Sequence, residues 1–482
     1  MALGTAQQYL DRVKNHRPTV YLRGKKVEDI LLNPVTKSAV DAMAKVYDLS
    51  LEDSYRTVMT ATSHLTGESI NRNVHINRSV DDLYNRQEMA LLTSQKLGTC
   101  NYRCVGCDGF NAVAATTWEV DRDTGTKYYP RLMDYLRYVQ QEDLAVSGAM
   151  TDTKGDRSKR PLQQDPDCYV HVSERRKDGI IVRGAKQHQS GAYVADETLV
   201  IPLLSTTKSE EDYALSFAVS NGTKGITYIA QYNPYSAERE LEEDTHYLGN
   251  PIFGQRETSL MVFDDVFVPW ERVFLCGEVD YARRLVYRFA RLHRMSCGGA
   301  CKVGFADLII GATCLLAEYT GIEKASHVME KLTQMVAMRD ISSACAVAAA
   351  YKGREEPIGS GIWTPDEVLG NAAKYNTAGA FWEIMKWAGD IGGGAITTIC
   401  HEKDLENPET KAYIEKYMKT GNATAAERLR MLKFLQNWTA GLHGPSTWHG
   451  AGSIVSQLIT IFNDTDWESK KQMAKELAGL KG

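Results

Sequence analysis

The stretch DCYVHVSERRKDGIIVRGAKQ, residues 167–187, decides the fold class because its apolar residues recur with the period of a β-strand. Polar and apolar residues alternate on both sides of a Lys-Asp-Gly turn, which predicts a β-hairpin. Four more short runs of β-forming residues follow, separated by turn residues: TLVIPLLS, YALSFAVS, GITYIAQY and TSLMVFDDVFVP. Residues 146–280 are therefore predicted to form a β-sandwich or barrel domain.

Helical patterns flank this β region on both sides. Apolar residues at helical spacing predict an N-terminal helical domain over residues 1–145. From residue 281 to residue 482 the periodic segments are longer, and they predict a C-terminal four-helix bundle. The predicted fold class is thus α+β with three domains. This order of elements resembles that of the acyl-CoA dehydrogenases, in which a flavin lies between the β domain and the bundle, although element order alone does not identify a function.

The bulk composition excludes several classes of partner. The net charge is −5 and there is no long basic run, which argues against a nucleic-acid partner. Apolar runs stay short of the roughly 20 residues of a membrane span, and the N-terminus lacks the apolar core of a signal peptide. We therefore expect a cytoplasmic protein with no membrane partner. In that compartment its ten cysteines are expected to be free, metal-bound or catalytic rather than paired.

Two segments concentrate metal-ligating residues. In LGTCNYRCVGCDGFNA, residues 97–112, Cys100, Cys104 and Cys107 share one helical face, and RLHRMSCGGACKVGFAD adds a second set: His293, Cys297 and Cys301. Thiolates bind soft metals and iron–sulfur clusters, and a [4Fe–4S] cluster needs four protein ligands, which the two segments can supply together. The alternative is that these cysteines are small buried hydrophobic residues, because neither spacing matches a CxxC knuckle or a ferredoxin motif.

Other segments allow a functional and a structural interpretation. The loop GAMTDTKGDRSK, residues 148–159, offers polar groups to a large ligand or is simply a surface loop. Ser190 could bond a flavin ring or end a strand, and GDIGGGA, residues 389–395, could admit a pyrophosphate or let helices pack closely. Glu257 lies on an apolar strand, where a carboxylate serves as an acid/base or pairs with an arginine.

Taken together, these motifs identify the chain as similar to a known family. The segments CNYRCVGCDGFNAV, DLAVSGAMTDTKGDRS, DGIIVRGAKQHQSG, LGNPIFGQRETSLMVFDDVFVP, FARLHRMSCGGACKVGFAD, KASHVMEKL and HGAGS resemble, in order and along nearly the whole chain, the 4-hydroxybutyryl-CoA dehydratase branch of the 4-hydroxyphenylacetate 3-hydroxylase family. The resemblance implies an acyl-CoA dehydrogenase-like fold, a homotetramer, FAD and a [4Fe–4S] cluster.

The resemblance also implies roles for individual residues. The cluster ligands fall on four positions: Cys100, Cys104, His293 and Cys301. The catalytic group comprises these residues: His293, Glu257, Lys302 and Cys297. The predicted flavin-binding positions lie in the Thr-Asp-Thr-Lys-Gly-Asp-Arg loop and on the strand that ends at Ser190: Met150, Thr151, Lys154, Asp156, Arg157, Lys186, Gln189 and Ser190. Gly392 and Gly393 are added to these positions from the glycine-rich segment alone.

Three departures from the dehydratase pattern bear on the chemistry. Ser446 stands where an essential glutamate is expected, three residues before the HGAGS motif, and Cys297 stands where a tyrosine is expected. The segment before Cys301 is also one residue longer, and one extra residue rotates an α-helix by about 100°. Either a π-bulge absorbs the extra residue, or the ligand set has shifted, in which case Cys297 becomes a candidate ligand.

The resulting hypothesis is a dehydratase, with or without Δ-isomerase activity, that acts on a hydroxyacyl-CoA such as 4-hydroxybutyryl-CoA. In the chemistry that the resemblance implies, the flavin assists radical deprotonation and the cluster acts as Lewis acid for the leaving hydroxyl. Two alternatives stay open. One is a flavin-dependent aromatic hydroxylase, as elsewhere in the family, and the other is a cluster-bearing protein that has lost dehydratase activity.

Overall fold

Helices make up most of the N-terminal part of the chain. The computed structural model describes residues 3–202, 206–242, 244–441 and 443–480. Helix boundaries follow local signals: Ser79 caps one helix by accepting from the Asp82 N–H, and Gly98 ends that helix in the left-handed conformation. The helices are α1 (Ala6–His16), α2 (Pro34–Leu51), α3 (Arg56–Met59), α4 (Val80–Leu97), α5 (Cys104–Thr124) and α6 (Tyr128–Gln141).

Two short hairpins interrupt this region, which was expected to be mostly helical. They are formed by β1 (Thr19–Leu22) with β2 (Lys25–Val27), and by β3 (Thr60–Thr62) with β4 (Ser69–Asn71). The first hairpin joins the β domain, because β1 pairs in parallel with β10 (Ile226–Ala230). Strands of three or four residues carry too little periodicity to be distinguished from loops.

The middle of the chain forms two open sheets. Strands β6 and β7 pair antiparallel around the Lys-Asp-Gly turn, which confirms the predicted hairpin. One sheet has the order β2-β1-β10-β11-β7-β6 and the other β12-β9-β8-β5, so the described residues form no closed barrel. The strands of this region, besides β10, are β5 (Val146–Ala149), β6 (His171–Arg175), β7 (Gly179–Ser190), β8 (Glu197–Val200), β9 (Leu215–Ser220), β11 (Thr258–Pro269) and β12 (Val273–Cys276).

Two features of this region depart from the sequence pattern. A helix, α7 (Pro234–Leu241), lies between β10 and β11, with Pro234 at its first position and Asn233 as its cap. The run TLVIPLLS begins in β8 and ends in residues 203–205, which lie outside the described residues.

The C-terminal part is again helical, and its long helices pack as the predicted bundle. Ile309, Met335, Phe381, Leu435 and Trp438 belong to its shared core. Its elements are α8 (Val279–His293), a π-helix (Arg294–Cys301), α9 (Lys302–Thr320), α10 (Ser326–Tyr351), a hairpin of β13 (Arg354–Glu355) and β14 (Trp363–Thr364), α11 (Glu367–Gly392), α12 (Lys411–Met418), α13 (Ala425–Thr439), α14 (His443–His449), α15 (Ile454–Asp464) and α16 (Trp467–Leu477).

The predicted domain boundaries stay predictions. The first, at 145/146, falls between α6 and β5, and the second, at 280/281, falls at the start of α8. The helical run Val279–Thr320 is long and apolar enough to cross a membrane by length and composition, but 61% of its apolar window is buried within the protein. Such burial is what the central helix of a bundle requires, so this run is weak evidence for a membrane span.

Helix α5 lies unusually close to β5, and this contact fixes the start of the helix. A Cβ atom added to Gly106 would lie 2.2 Å from the carbonyl oxygen of Val146, and one added to Gly148 would lie 2.4 Å from Cγ1 of Val105. Glycine at both positions therefore allows the backbones to touch. The contact sets the height of Cys104, the first residue of α5, relative to the sheet.

We expect Gly106→Ala to lower the free energy of unfolding by about 2–3 kcal/mol, because the new methyl group meets backbone that cannot move alone. Chemical denaturation of the variant and the wild type measures this difference. Gly311→Ala is the matched control, since Gly311 lies within α9 with no neighbour that an added Cβ would reach within 4 Å. There we expect a gain of about 0.5–1 kcal/mol. Equal effects at the two positions would contradict the close-packing argument.

Candidate metal and cofactor site

Three metal-ligating side chains meet where the N-terminal helices contact the bundle. The donor atoms of Cys104, His293 and Cys297 all lie within 4.8 Å of one another, and all three residues are buried. Cys104 begins α5, His293 ends α8, and Cys297 lies in the π-helix. The fold thus joins the two cysteine-bearing segments that the sequence places about 190 residues apart.

The π-helix absorbs the additional residue before Cys301. It spans Arg294–Cys301 and runs without a break from α8 into α9. Because each π-helical hydrogen bond encloses one more residue than an α-helical bond, an extra residue is accommodated without rotating the helices on either side. The structure therefore contains a π-helical segment at the predicted place, but the donor atoms that lie within 4.8 Å of one another include Cys297 and not Cys301, and the choice of cluster ligands stays a prediction.

A buried carboxylate connects the segments of the site. Asp108 accepts hydrogen bonds from Arg86 Nε at 3.1 Å and from the Ser296 hydroxyl at 2.9 Å, and its Oδ2 lies 2.8 Å from Nδ1 of His293. We call these four residues the Asp108 network. Burial lowers the pKa of His293, but the neighbouring Cys297 and Asp108 outweigh it and raise this pKa to about 9.

Four thiols shift one another's pKa in the order Cys100, Cys104, Cys297 and Cys301, which we call the thiol row, and the sulfurs of Cys104 and Cys297 lie within 4.8 Å of each other. Hydrogen bonds from its two neighbours in this row hold the pKa of Cys297 well below the usual value for a thiol. Lys302 acts in the same direction, because its buried Nζ donates to Sγ of Cys297 at 3.2 Å. Cys297 is thus the thiol of the row that most readily carries a negative charge.

Cys107, the third thiol of its segment, lies outside this row. Its Sγ points to the carbonyl oxygen of Arg72 at 3.7 Å, and burial raises its pKa to about 11. A protonated, buried thiol with a backbone partner behaves as a small packing residue. Cys100 lies before α5, so the three thiols do not share one helical face as their spacing predicted, because the helix begins only at Cys104. Cys107 fits the packing interpretation, whereas Cys104 belongs to the donor set.

The polar loop after β5 is held against β7 by buried hydrogen bonds. Lys186 Nζ donates to the carbonyl of Met150 at 2.8 Å and pairs with Asp152 at 2.9 Å. Gln189 Nε2 donates to the carbonyl of Thr151 at 3.1 Å. These contacts bring together the predicted flavin positions Met150, Thr151, Lys186 and Gln189, and leave the rest of the loop, including Lys154, Asp156 and Arg157, more accessible to solvent.

Glu257 lies in the same region as a buried acid without an ionic partner among the described residues. It precedes β11, its backbone N–H donates to the hydroxyl of Tyr102 at 3.0 Å, and Ser190 faces the adjoining Thr258 in the sheet. Burial raises the pKa of Glu257 to about 8, so the neutral carboxylic acid predominates at pH 7. The arginine pairing considered from sequence is absent for this side chain, although the charge of Arg239 acts on it from a distance.

A turn near the C-terminus lies against two buried lysines of the site. A Cβ added to Gly450, in the HGAGS motif, would lie 3.3 Å from Lys302 Nζ. Lys374 ties the preceding helix α14 to α11 by donating to the carbonyls of Thr447 and Trp448 at 2.8 and 3.1 Å. Burial, followed by the charge of Lys302, lowers the pKa of Lys374 to about 7. Ser446 donates to the carbonyl of His443 at 3.0 Å.

Family models match nearly the whole chain. Residues 5–275 match the N-terminal model of the 4-hydroxyphenylacetate 3-hydroxylases, and residues 282–479 match the C-terminal model. The chain belongs to the 4-hydroxyphenylacetate 3-hydroxylase family. Within this family it is 39% identical, over 99% of its own length and 100% of the relative, to the 4-hydroxybutyryl-CoA dehydratase/vinylacetyl-CoA-Δ-isomerase of Clostridium aminobutyricum.

Solved structures of this hydroxylase family have the same fold. The oxygen-tolerant archaeal 4-hydroxybutyryl-CoA dehydratase from N. maritimus superposes with a TM-score of 0.95 at 34% identity, covering 100% of this chain and 96% of that one. The oxygenase component of 4-hydroxyphenylacetate 3-monooxygenase, complexed with FAD, gives 0.85 at 25% identity over 98% of both chains. A glutaryl-CoA dehydrogenase gives 0.50 at 16% identity, which shows the fold alone. The resemblance and the acyl-CoA dehydrogenase-like fold class predicted from sequence are thereby confirmed.

The donor chemistry of the site fits both cofactors expected in this branch of the hydroxylase family. Buried sulfur and imidazole donors within 4.8 Å of one another are compatible with an iron–sulfur cluster. Buried polar side-chain atoms of Gln255, Glu257 and Ser259 have no hydrogen-bond partner among the described residues. A flavin ring bound at the loop after β5 could supply these partners. The glycines Gly392 and Gly393 lie elsewhere, at the end of α11, where Gly392 packs toward Ile396 and Leu435.

Two residues of the site were missed by the sequence analysis. Asp108 follows Cys107 directly and lies at i+4 from Cys104, so its place on the thiol face was a usable signal. Lys374 lies in the otherwise apolar segment GNAAKYNTAGAF of α11, where a lysine is usually interpreted as reaching out to solvent. Its full burial depends on α14, which follows some 70 residues later.

We expect Asp108→Asn to lower the free energy of unfolding by about 3 kcal/mol, because Arg86 would keep a buried charge without its partner. Urea denaturation measures the change. Asp123→Asn, on the exposed end of the same helix, is the matched control and should stay within about 0.5 kcal/mol of wild type. A second variant that also carries Arg86→Met should recover part of the loss. A small effect of Asp108→Asn would show that the Asp108 network does not stabilise the fold.

Glu257 should make stability depend on pH. Its pKa is about 8 in the fold and about 4.3 in an unfolded chain, so unfolding releases a proton between these values, and stability falls as pH rises through that window. Relative to Glu257→Gln, we expect the wild type to lose about 3 kcal/mol between pH 5 and pH 7.5. Denaturation curves at both pH values test this, with the exposed Glu271→Gln as control. A constant difference between wild type and Glu257→Gln would show that Glu257 is ionised in the fold.

Proposed function

We propose that this protein is an FAD- and [4Fe–4S]-dependent lyase that removes water from a hydroxyacyl-CoA, such as 4-hydroxybutyryl-CoA or a related thioester, and that also isomerises vinylacetyl-CoA. The observation that carries the proposal is the buried donor set of Cys104, His293 and Cys297 in a chain 39% identical to an enzyme named for both reactions. Aromatic hydroxylation, the activity named for more distant relatives, provides no use for such a set.

Separate segments of the chain would hold the two cofactors. Donors in residues 100–104 and 293–301 would hold the cluster, while the loop at 150–157 with Gln189 and Ser190 would contact the flavin. When bound, the flavin would supply one-electron chemistry that makes the β proton of an acyl thioester removable, and the cluster would supply a Lewis acid for the leaving hydroxyl. Tyr102, within the first cluster segment, donates to the carbonyl of Gln255 and accepts from the Glu257 N–H, and so links this segment to the chain just before β11, the strand that pairs with Ser190.

The chain's own groups would handle protons and charge. Glu257 is neutral at pH 7, so its carboxyl can give a proton to a substrate oxygen or hold a carbonyl by a hydrogen bond. Lys302 supplies a buried positive charge beside the thiols. Ser446 cannot act as a carboxylate would at its position, because a hydroxyl does not ionise near neutral pH. Among the predicted catalytic groups, Glu257 is therefore the carboxyl that remains for this work.

Two surface features support the proposed partners. An open cavity of about 440 Å³, lined by Trp382, Pro445, Trp448 and His449, lies next to the Gly450 turn and offers an apolar approach for an acyl thioester. Helix α15 exposes a row of apolar side chains that a second subunit of the proposed homotetramer would cover: Val455, Leu458, Ile459 and Phe462. The ten cysteines are free thiols in the structure, which agrees with the proposed cytoplasmic location.

The proposed activity is tested by assaying the purified holoprotein under anaerobic conditions with 4-hydroxybutyryl-CoA and vinylacetyl-CoA. We expect both to be converted to the same conjugated enoyl-CoA, which chromatography detects. Cys104→Ser should lose dehydration by at least 100-fold, because the cluster would lack a ligand. Cys314→Ser, at a half-buried thiol of α9 outside the donor set, is the matched control and should keep full activity.

A parallel assay separates this activity from the alternative functions. The same protein is mixed with reduced flavin, oxygen and 4-hydroxyphenylacetate. Formation of a catechol without turnover of either thioester would establish the hydroxylase activity in its place. A protein that contains iron and FAD but converts none of these compounds would contradict both enzymatic proposals.

A further inference from the structure

Four cationic side chains surround the segment that joins α14 to α15. They are Arg256, Arg294, Lys302 and Lys374. A Cβ added to Gly450 would lie 3.3 Å from Nζ of Lys302 and 3.6 Å from Nη1 of Arg256, and one added to Gly452 would lie 3.5 Å from Nη2 of Arg294. Lys374 donates to two carbonyls at the end of α14. Positive charge thus converges on one short stretch of backbone.

No carboxylate of the described residues balances this charge. Across residues 3–202, 206–242, 244–441 and 443–480, no Asp or Glu oxygen lies within 4 Å of a nitrogen of these four side chains. The segment HGPSTWHGAGS, residues 443–453, contains no acidic residue. Glu257 follows Arg256 directly, but its carboxyl is neutral at pH 7 and both of its oxygens lack a hydrogen-bond partner. Partly buried charge without a partner is costly, so a bound anion would stabilise this region.

Three of the four cations have other partners within the described chain. Lys302 donates to Sγ of Cys297 at 3.2 Å, and Cys297 is the thiol that most readily carries a negative charge. Arg294 donates to the Ser456 hydroxyl at 2.9 Å and to a second hydroxyl of α15 at 3.1 Å. The ammonium of Lys374 is held by its two carbonyls. These three side chains are buried, and their hydrogen bonds explain their positions.

The guanidinium of Arg256 is the exception. It forms no hydrogen bond or ion pair with a described residue, although its backbone carbonyl is fixed beside β11 by accepting from Gln231. The side chain is half-buried, so its donors can be reached from outside. A guanidinium presents paired N–H groups that match the two oxygens of a carboxylate. Arg256 is therefore the cation that is available to an anionic ligand.

The open cavity beside the Gly450 turn leads to this arginine. Its walls include Trp382 and Trp448, whose rings pack edge to face with centroids 6.1 Å apart, and His449, which precedes Gly450. An apolar wall suits the methylene groups of an acyl chain, whereas the free guanidinium suits a negative charge at the end of that chain. The two features together fit a ligand that is apolar along its length and anionic at its end.

We propose that the acyl group of the substrate ends in a carboxylate of its own, and that Arg256 binds this carboxylate beside Gly450. The substrate class is then the CoA monothioesters of hydroxydicarboxylic acids. This inference rests on the proposed function, because it takes the substrate to be an acyl-CoA, but it does not depend on the reaction. An uncharged acyl group would leave the guanidinium unpaired, and sites built for a polar group discriminate strongly against analogues that lack it.

The first experiment uses the unmodified holoprotein, so it does not depend on any variant folding. Calorimetry measures the dissociation constants of succinyl-CoA and glutaryl-CoA, each paired with the thioester in which a neutral amide replaces the free carboxylate. We expect at least one carboxylate to bind about 10-fold or more tightly than its amide, because a hydrogen bond between charged groups replaces a weaker one. Equal dissociation constants within both pairs, or no binding of any thioester, would overturn the proposal.

Variants of Arg256 assign the preference to one side chain. Arg256→Gln should bring the two dissociation constants of the pair within about 2-fold of each other, and Arg256→Lys should keep part of the preference as a point charge. Arg283→Gln, at an exposed arginine of α8, is the matched control and should bind as wild type does. Circular dichroism confirms that each variant is folded. A full preference in Arg256→Gln would show that Arg256 is not the binding residue.

The same variants separate substrate binding from cofactor binding. Arg256→Gln should bind FAD with the affinity of wild type, which flavin fluorescence measures. A loss of FAD from Arg256→Gln, with an unchanged preference in the remaining holoprotein, would assign this arginine to the cofactor and overturn the proposal.

Binding and turnover distinguish this inference from the proposed reaction. A protein that binds the carboxylates more tightly but converts no hydroxyacyl-CoA would refute the reaction alone. A protein that dehydrates 4-hydroxybutyryl-CoA and binds carboxylate and amide equally would refute the substrate class alone.

Discussion

The carboxylate of Asp108 is the interaction on which the candidate site depends. One buried side chain binds Arg86 of α4, His293 of α8 and Ser296 of the π-helix, while its own helix carries Cys104. A charge buried this deeply is tolerated only when all its partners are present. The site therefore exists only when the N-terminal helices and the bundle are docked together. Stability and the geometry of the metal-ligating residues are in this way set by the same contacts.

Much of the fold could be predicted from sequence because its elements are long and periodic. The alternation around the Lys-Asp-Gly turn gave the β6–β7 hairpin, and the long helical periods gave the bundle. The strands β1 and β2 could not be predicted in this way, because β1 pairs with β10, about 200 residues away, and this pairing leaves no local trace in the sequence. The spacing of the cysteines and His293 likewise indicated a metal site, whereas Asp108 and Lys374 acquire their roles only from partners that are distant in sequence.

The electrostatics of the site are set by cations and thiols more than by carboxylates. Lys302, Lys374 and Arg256 lie on one side of the thiol row, next to the turn at Gly450. Ser446 adds no negative charge to this side, and Glu257 is held neutral by burial. Sulfur is consequently the group that balances the buried positive charge.

The burial of the donor atoms has a consequence for how the protein matures. Cys104 and Cys297 are each 7% exposed, and α14 lies over the cationic side with its carbonyls tied to Lys374. The proposed cluster, several ångströms across, would not pass between packed helices and would have to be inserted before the C-terminal segment closes. Closure of α14 would then be the last step of assembly, and a chain that closed early would lack its metal. The order of cluster insertion and helix closure, rather than the affinity of the site for the cluster, would then decide what fraction of the protein becomes complete.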